Sequence, residues 1–433
     1  MNLTVRPAPA LRGEIRVPGD KSITHRALLF GGLGSGASRI LGYLDSGDCR
    51  ATIGCLHALG VVVEQPAPDE LIVHGPGLHG WREPERPLDC VRSGTTMRLL
   101  AGCLAGQPFY SVLSGDPQLL RRPMGRVAEP LRAMGARIWG RQGGQLPPLS
   151  LLGGPLAGCE HRLAIASAQV KSCLLLAALY ARGATTVIEP GPSRDHTERM
   201  LRARGAPVES VGLAHTLVGP VERLAAADTR VPGDFSSAAF FLVGALLVPR
   251  SEVTLGNINV NPTRTGLLDV LRGMGAEIAV LNARDQGGEP VADLFVRSSN
   301  LTAAEVGGEV VPRMIDEFPI LALAATQAQG VTRVRDAAEL RVKETDRIAT
   351  TVAALRALGA HIEPREDGFE IEGPTPLVGA RVDSQGDHRL GMTLAIAGLI
   401  AQSATTIERA ECIGDSFPGF EACLDALTGG QWR

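Results

Sequence analysis

The chain has 433 residues, 44% hydrophobic and 21% charged, with a net charge of −3. That length predicts two domains, and so near-neutral a balance excludes the strongly basic footprint of a nucleic-acid-binding or membrane-surface protein. No run of about 18 apolar residues is present, which excludes an ordinary transmembrane helix.

The opening, MNLTVRPAPALRG, has no apolar run after a basic start, so no secretory leader is expected. The first marked element is VPGDKSITHRALLFGGL (17–33), where a Pro-Gly turn and Asp20 lead into a helix. Lys21, Ser22, His25 and Arg26 stand at the front of its apolar run. LHALGVVV (56–63) then reads as the end of an amphipathic helix, a glycine past its C-terminus and a β-branched strand start.

Both phrases recur in the same order. The apolar helix returns at SGTTMRLLAGCLAG (93), SAQVKSCLLLAALY (167), DFSSAAFFLVGALL (234), DEFPILALAATQAQ (316) and DHRLGMTLAIAGLI (387). The second phrase returns as LRAMGARI (131), LRARGAPV (201), LRGMGAEI (271) and LRALGAHI (355), with LDALTGG (424) a worn sixth copy. A helix apolar on all sides is buried rather than amphipathic. Six units of about 70 residues are therefore expected, each with one buried helix, one surface helix and several short strands.

RVPGD stands at 16–20 and again, identically, at 230–234. These two Pro-Gly turns mark chain crossings at 17–20 and 231–234. They predict an inserted domain of three repeats over 21–231, and a second domain of three repeats from 1–20 plus 232–433.

The polar openings of the buried helices carry the chemistry. If the three buried helices of a domain run parallel, their N-termini converge, and two such domains facing each other would line one cleft. Unpaired N–H groups and the macrodipole make such a place attractive to anions. Lys21, Ser22 and Arg26 lie at the first opening, Thr95, Thr96 and Arg98 at the second, and Ser167, Gln169 and Lys171 at the third. Ser236 and Ser237 lie at the fourth, Asp316 and Glu317 at the fifth, and Asp387, His388 and Arg389 at the sixth. Thr95, Ser236 and Asp387 read equally well as helix caps, but a cation at a helix start is unfavourable without an anion to offset it. Two further clusters are DPQLLRRPMGRV (116–127) and RVKETDRIATTV (341–352), the latter with a Glu344–Arg347 pair at i,i+3 that reads by itself as a solvated ion pair.

Of 43 Lys and Arg residues only three are lysine, Lys21, Lys171 and Lys343. A GC-rich coding bias explains the scarcity but not the survivors, which become functional candidates because Arg cannot replace a compact, titratable ammonium. Eight cysteines without a C-x-x-C pair read as free thiols in a reducing cytoplasm. No H-x-x-H or H-E-x-x-H spacing, Walker A loop or G-x-S-x-G elbow is present, so neither a metal nor a cofactor is expected.

The motifs PGDKSITHRALL, SGTTMRL, RRPM, SAQVKSCLLLAAL, SRDHTERML, GDFSSAAFFL, NPTRTG, IDEFP, RVKETDRI and DHRLGM run in order along the whole chain. They resemble the enolpyruvyl transferase family in its 3-phosphoshikimate 1-carboxyvinyltransferase (EPSP synthase) branch. The resemblance implies an α/β fold of two domains, each a pseudo-threefold repeat of βαβαββ units with buried parallel helices. It implies transfer of the enolpyruvyl group of phosphoenolpyruvate to the 5-hydroxyl of 3-phosphoshikimate. A cytoplasmic monomer without nucleic-acid or membrane partners is expected.

By the same resemblance Lys21, Asp316 and Glu344 are catalytic. Lys21, Ser22, Arg26, Ser167, Ala168, Gln169, Ser193, Asp316 and Lys343 bind 3-phosphoshikimate. Lys21, Gly94, Arg122, Gln169, Arg347 and Arg389 bind phosphoenolpyruvate, and His388 orients its neighbours. Two positions depart from the family pattern: Arg92 stands where Asn is frequent, and Asp415 where many members have Lys. Arg92 is therefore a candidate to supply the charge that Asp415 does not. The related UDP-N-acetylglucosamine enolpyruvyltransferases carry a Lys-Asn opening and a loop cysteine, which are not found here. A non-catalytic anion-binding relative would have lost its acid–base groups, yet Lys21, Asp316 and Glu344 are all present.

Overall fold

A computed structural model describes all residues, Met1–Arg433. The chain divides into two compact units. Unit 1 comprises Met1–Pro18, Pro232–Asp285 and Pro290–Arg433, and unit 2 comprises Gly19–Val231 with Gln286–Glu289. The expected break after residue 20 is corrected to one after Pro18, because Asp20 caps the first helix of unit 2, accepting from the Ile23 N–H at 2.9 Å. The turn Gln286–Glu289 is also counted in unit 2, where the Glu289 carboxylate meets His196 Nδ1 at 2.7 Å.

The buried helices of unit 2 are Lys21–Leu33, Gly94–Ala105 and Ala168–Ala178, and those of unit 1 are Phe235–Leu247, Phe318–Thr326 and His388–Ile400. Their small residues let backbones touch. A Cβ added at Gly102 would lie 2.1 Å from the carbonyl oxygen of Cys173 on the neighbouring buried helix, an approach only glycine permits. Each buried helix is followed in sequence by a partly exposed helix, Gly47–Ala58, Gly125–Ala133 and His196–Arg202 in unit 2, then Gly266–Gly273, Arg347–Ala357 and Phe420–Thr428 in unit 1.

The recurring LRxxG phrase has a specific physical content. Its glycine adopts a left-handed φ in each copy, as at Gly135 (101°) and Gly359 (94°), closing the helix where a Cβ would be strained. Its arginine reaches six residues on to a carbonyl of the following strand: Arg132 to Ile138, Arg202 to Val208, Arg272 to Ile278 and Arg356 to Ile362, at 2.7–3.0 Å. The arginine therefore ties the helix to the strand it precedes.

Each sheet repeats one pairing scheme. In the second, Leu88–Asp89 runs parallel to Tyr110–Ser114, which pairs antiparallel with Leu146–Leu152, itself paired with Arg137–Gly140. The first sheet takes its parallel strand from the far end of the same unit, Thr229–Arg230 beside Ser35–Leu41, so the three repeats of unit 2 close into a ring. In unit 1, Arg12–Ile15 plays that part beside Glu252–Asn259. The last sheet of unit 1 has three strands, Leu3–Val5, Thr405–Glu408 and Arg381–Asp383. Leu3–Val5 pairs antiparallel with Thr405–Glu408 where the other sheets carry a hairpin, which accounts for the worn sixth copy. Each unit encloses its own hydrophobic core.

Candidate functional site

In unit 2 the starts of the three buried helices lie together. Lys21 Nζ is 3.1 Å from Asp48 Oδ2, in the first turn of Gly47–Ala58, with 18% of the lysine side chain exposed. Arg26 is almost wholly buried. It donates to Thr197 Oγ1 (2.7 Å), the Ser22 carbonyl (2.9 Å) and Ser172 Oγ (2.7 Å), so it joins the first buried helix to the third. Burial pulls its pKa down to about 10, with Glu198 opposing, and it stays charged at neutral pH. Ser22 Oγ accepts from Arg194 at 3.3 Å.

The second and third helix starts are bridged by Gln169. Its Nε2 donates to Thr95 Oγ1 at 2.8 Å and its Oε1 accepts from Arg98 at 2.5 Å. Arg98 also donates to the Pro123 carbonyl at 3.2 Å, holding the RRPM segment. A Cβ on Gly94 would sit 3.0 Å from both Arg122 Nη1 and Arg98 Nη1, so glycine leaves room for two guanidinium groups at this helix start. Ser167 and Ala168 begin the third helix, where the Ser167 side chain makes no capping bond. The Ser193 hydroxyl donates to Glu189 Oε1.

Several expectations change. Thr95 and Ser236 are not the caps. Ser93 accepts from the Thr96 N–H (3.1 Å) and Asp234 from the Ser236 N–H (2.7 Å), whereas Asp387 does cap, accepting from the Arg389 N–H (2.9 Å). Lys171 does not stand at the helix opening with Ser167 and Gln169. It is fully buried, with Glu189 at 2.6 Å and Glu198 at 2.8 Å. Arg92 pairs with Asp116 at 2.9 Å, so its charge is already matched. Asp415 ends the short turn Ala410–Asp415.

His25 heads a hydrogen-bonded row across three helices of unit 2. Its Nδ1 meets Thr52 Oγ1, Thr52 meets Thr96 Oγ1, and Thr96 donates to Ser93 Oγ, each at 2.7 Å. Burial drives the His25 pKa to about 3, with Asp48 opposing, so the imidazole is neutral.

In unit 1 the cluster centres on Arg347, which is 2% exposed rather than in a solvated pair. Its Nε meets Asp387 Oδ2 at 2.8 Å, Nη2 meets Glu344 Oε2 at 2.6 Å and Nη1 meets Asp316 Oδ1 at 3.2 Å. Arg389 Nη2 lies 3.5 Å from Asp316 Oδ2. Burial alone would lower the Arg347 pKa, but Asp387, Glu344 and Asp316 outweigh it and the pKa rises. Burial alone would raise that of Asp387, but Arg347 and His388 outweigh it and hold the carboxylate ionised. Lys343, 3.5 Å from Glu339, has its pKa lowered by burial, against the pull of Glu339 and Asp316.

Both clusters mix cations and carboxylates. The helix starts of unit 2 collect Lys21, Arg26 and Arg98 beside the capping Asp20, and those of unit 1 carry Asp234, Glu317 and Asp387 with Arg389. Arg264 meets Asp234 at 2.5 Å as Arg347 meets Asp387. Each unit therefore gathers cations and carboxylates at its helix starts, Lys21 with Asp48 in unit 2 and Arg347 with Asp316, Glu344 and Asp387 in unit 1. Asp48 and Arg194 were missed from sequence. An acid in a helix's first turn reads as an ordinary complement to the dipole, and no pattern links Arg194 to Ser22 across 172 residues.

The chain matches the family model described as EPSP synthase (3-phosphoshikimate 1-carboxyvinyltransferase) over residues 5–424. It is 53% identical over 426 residues to the 3-phosphoshikimate 1-carboxyvinyltransferase of Geobacter sp. (strain M21), covering 98% of this chain and 99% of that one. It is 50% identical over 419 residues to that of Bacillus subtilis (strain 168), covering 96% and 97%. The 2.37 Å structure of EPSP synthase from Acinetobacter baumannii superposes with a TM-score of 0.88 at 43% identity, covering 99% of this chain and 98% of that one. Fold and family match together define a transferase of the two-domain inverse α/β class. Within that class, the chain belongs to the EPSP synthase (3-phosphoshikimate 1-carboxyvinyltransferase) family.

Proposed function

We propose that this chain transfers the carboxyvinyl group of phosphoenolpyruvate to the 5-hydroxyl of 3-phosphoshikimate, on the route to chorismate and the aromatic amino acids. The observation that carries it is Arg347 shared among Asp316, Glu344 and Asp387, in a chain that belongs to this family. Glu344 protonates the methylene carbon of phosphoenolpyruvate while the 5-hydroxyl adds to C2 and gives its proton to Asp316. The tetrahedral ketal phosphate then loses phosphate and a methyl proton to leave the enolpyruvyl ether. Lys21 touches both substrates and moves a proton between them.

Ser22, Arg26, Ser167, Ala168, Gln169, Ser193 and Lys343 hold 3-phosphoshikimate. Gly94, Arg122, Gln169, Arg347 and Arg389 hold the anionic groups of phosphoenolpyruvate. In the same proposal the chain is a cytoplasmic monomer, and eight unpaired cysteines agree with a reducing compartment. The test is phosphate release from purified protein. Release is expected only when both 3-phosphoshikimate and phosphoenolpyruvate are present. Release with a nucleotide-sugar acceptor in place of 3-phosphoshikimate would overturn the assignment.

A further inference from the structure

The third lysine is the one that the reaction does not use. Lys171 is 0% exposed, one turn inside the third buried helix of unit 2. Its ammonium lies 2.6 Å from Glu189, 2.8 Å from Glu198 and 3.5 Å from the Ser193 carbonyl. Glu189 in turn accepts the Ser193 hydroxyl. His215 lies between the two glutamates, 3.3 Å from each, and Ser210 Oγ meets its Nδ1 at 2.9 Å. The segment from Glu189 to Glu198 is therefore fastened at both ends to one ammonium. It also carries Arg194, which donates to Ser22, and Thr197, which accepts from Arg26.

Burial alone would discharge the lysine, but Glu198 and Glu189 outweigh it and the ammonium stays protonated. Burial likewise opposes the charge on Glu189, and His215 and Lys171 restore it. A buried charge with matched partners specifies one arrangement of the chain around it, since any other leaves a charge unpaired. The next residue, Ser172, donates to the Ala168 carbonyl and accepts from Arg26 at 2.7 Å. Consecutive positions of one helix thus hold the Ser193 segment and the Arg26 guanidinium.

We infer that Lys171 is a positioning residue for 3-phosphoshikimate: through Glu189 and Glu198 it sets the place of Ser193 and Arg194, and so the affinity for that substrate and not for phosphoenolpyruvate. The inference rests on the function proposed above, because it presumes that Ser193 contacts 3-phosphoshikimate. The scarcity of lysine marks all three alike, the family resemblance gives a role only to Lys21 and Lys343, and burial between two glutamates gives Lys171 its own.

Two variants test it against a control in the same helix. Lys171→Met removes the ammonium at similar length. Glu189→Ala removes the link to Ser193 while leaving Lys171 paired with Glu198, and serves should the first variant not fold. Leu174→Ala, at a buried apolar position of that helix, lowers stability without touching the cluster. Steady-state phosphate release should show the KM for 3-phosphoshikimate raised about tenfold or more in Lys171→Met or Glu189→Ala. The KM for phosphoenolpyruvate and kcat should stay within about twofold, and Leu174→Ala should change neither KM. Equal rises in both KM values, or none, would overturn the positioning role. A wild-type protein that does not turn over the two substrates would overturn the proposed function, and this inference with it.

Discussion

At the scale of single residues, charge placement decides what each group can do. Glu344 lies 2.6 Å from Arg347, on the guanidinium that Asp316 and Asp387 also share. Glu344→Gln keeps the shape and loses the proton. It should lower kcat by about 10²–10⁴-fold with little change in either KM, measured as phosphate release at saturating substrates. Arg92, half exposed and paired with Asp116, should matter far less. Arg92→Asn is expected to change the KM for phosphoenolpyruvate by less than about fivefold, the equivalent of roughly 1 kcal/mol, and a larger rise in that KM would restore its claim to the site.

His25 makes a prediction about acid. Its folded pKa of about 3 lies below the ordinary value of 6.5, so the neutral form is the one the fold accepts. Its contribution is complete above pH 6.5 and is lost as pH falls from there towards 3, by about 1.4 kcal/mol per pH unit. Urea unfolding at pH 7 and pH 5 should show a steeper loss in wild type than in His25→Asn, which keeps a polar atom near Thr52 without the titration. Equal slopes would count against a neutral buried imidazole. Little of this residue-scale chemistry was legible beforehand. Asp316, Arg347 and Asp387 meet in space across 71 positions of sequence, and neither periodicity nor spacing reports such a meeting.

Helices and strands were far more legible, because their rules are local. An all-apolar run announced each buried helix, and the glycine past each surface helix announced its end. The arginine of the LRxxG phrase could be seen to recur, but only the structure shows that it grips a strand carbonyl six residues on. Helix-to-helix distance was also invisible. Gly102 has Cys173 O 2.1 Å from where its Cβ would be, whereas Gly54 has nothing within 4 Å. Gly102→Ala should therefore destabilise by about 1–3 kcal/mol despite the better helix propensity of alanine. Gly54→Ala, in helix Gly47–Ala58, should stabilise by about 0.5–1 kcal/mol. Urea midpoints of the two variants should move in opposite directions, and movement in the same direction would deny that close packing rules the first site.

For the molecule as a whole, the repeats gave the count of units but not how each closes. The Pro-Gly crossings lie within two residues of the division in the structure, yet the pairing of Leu3–Val5 with Thr405–Glu408 joins positions some 400 apart and has no sequence signature. Removing residues 1–5 should strip that strand from the last sheet of unit 1, together with the buried side chains Leu3 and Val5. Hydrogen exchange should then accelerate at Thr405–Glu408 and in helix His388–Ile400, while amides of unit 2 keep their protection. Uniform acceleration in both units would show that the strand does more than close one sheet.

The closure of unit 2 by its own last strand leaves its chain ends side by side. Its two ends meet: the Val231 N–H donates to the Leu41 carbonyl at 2.8 Å, and a Cβ on Gly19 would lie 3.1 Å from the Val231 side chain. The severed ends of unit 1 meet as well, the Asp234 N–H donating to the Pro18 carbonyl at 2.9 Å. Each unit thus brings its own two ends together at the crossings. No sheet is shared across the two cuts, so residues 19–231 could be excised and the ends of unit 1 rejoined without removing a strand from either unit.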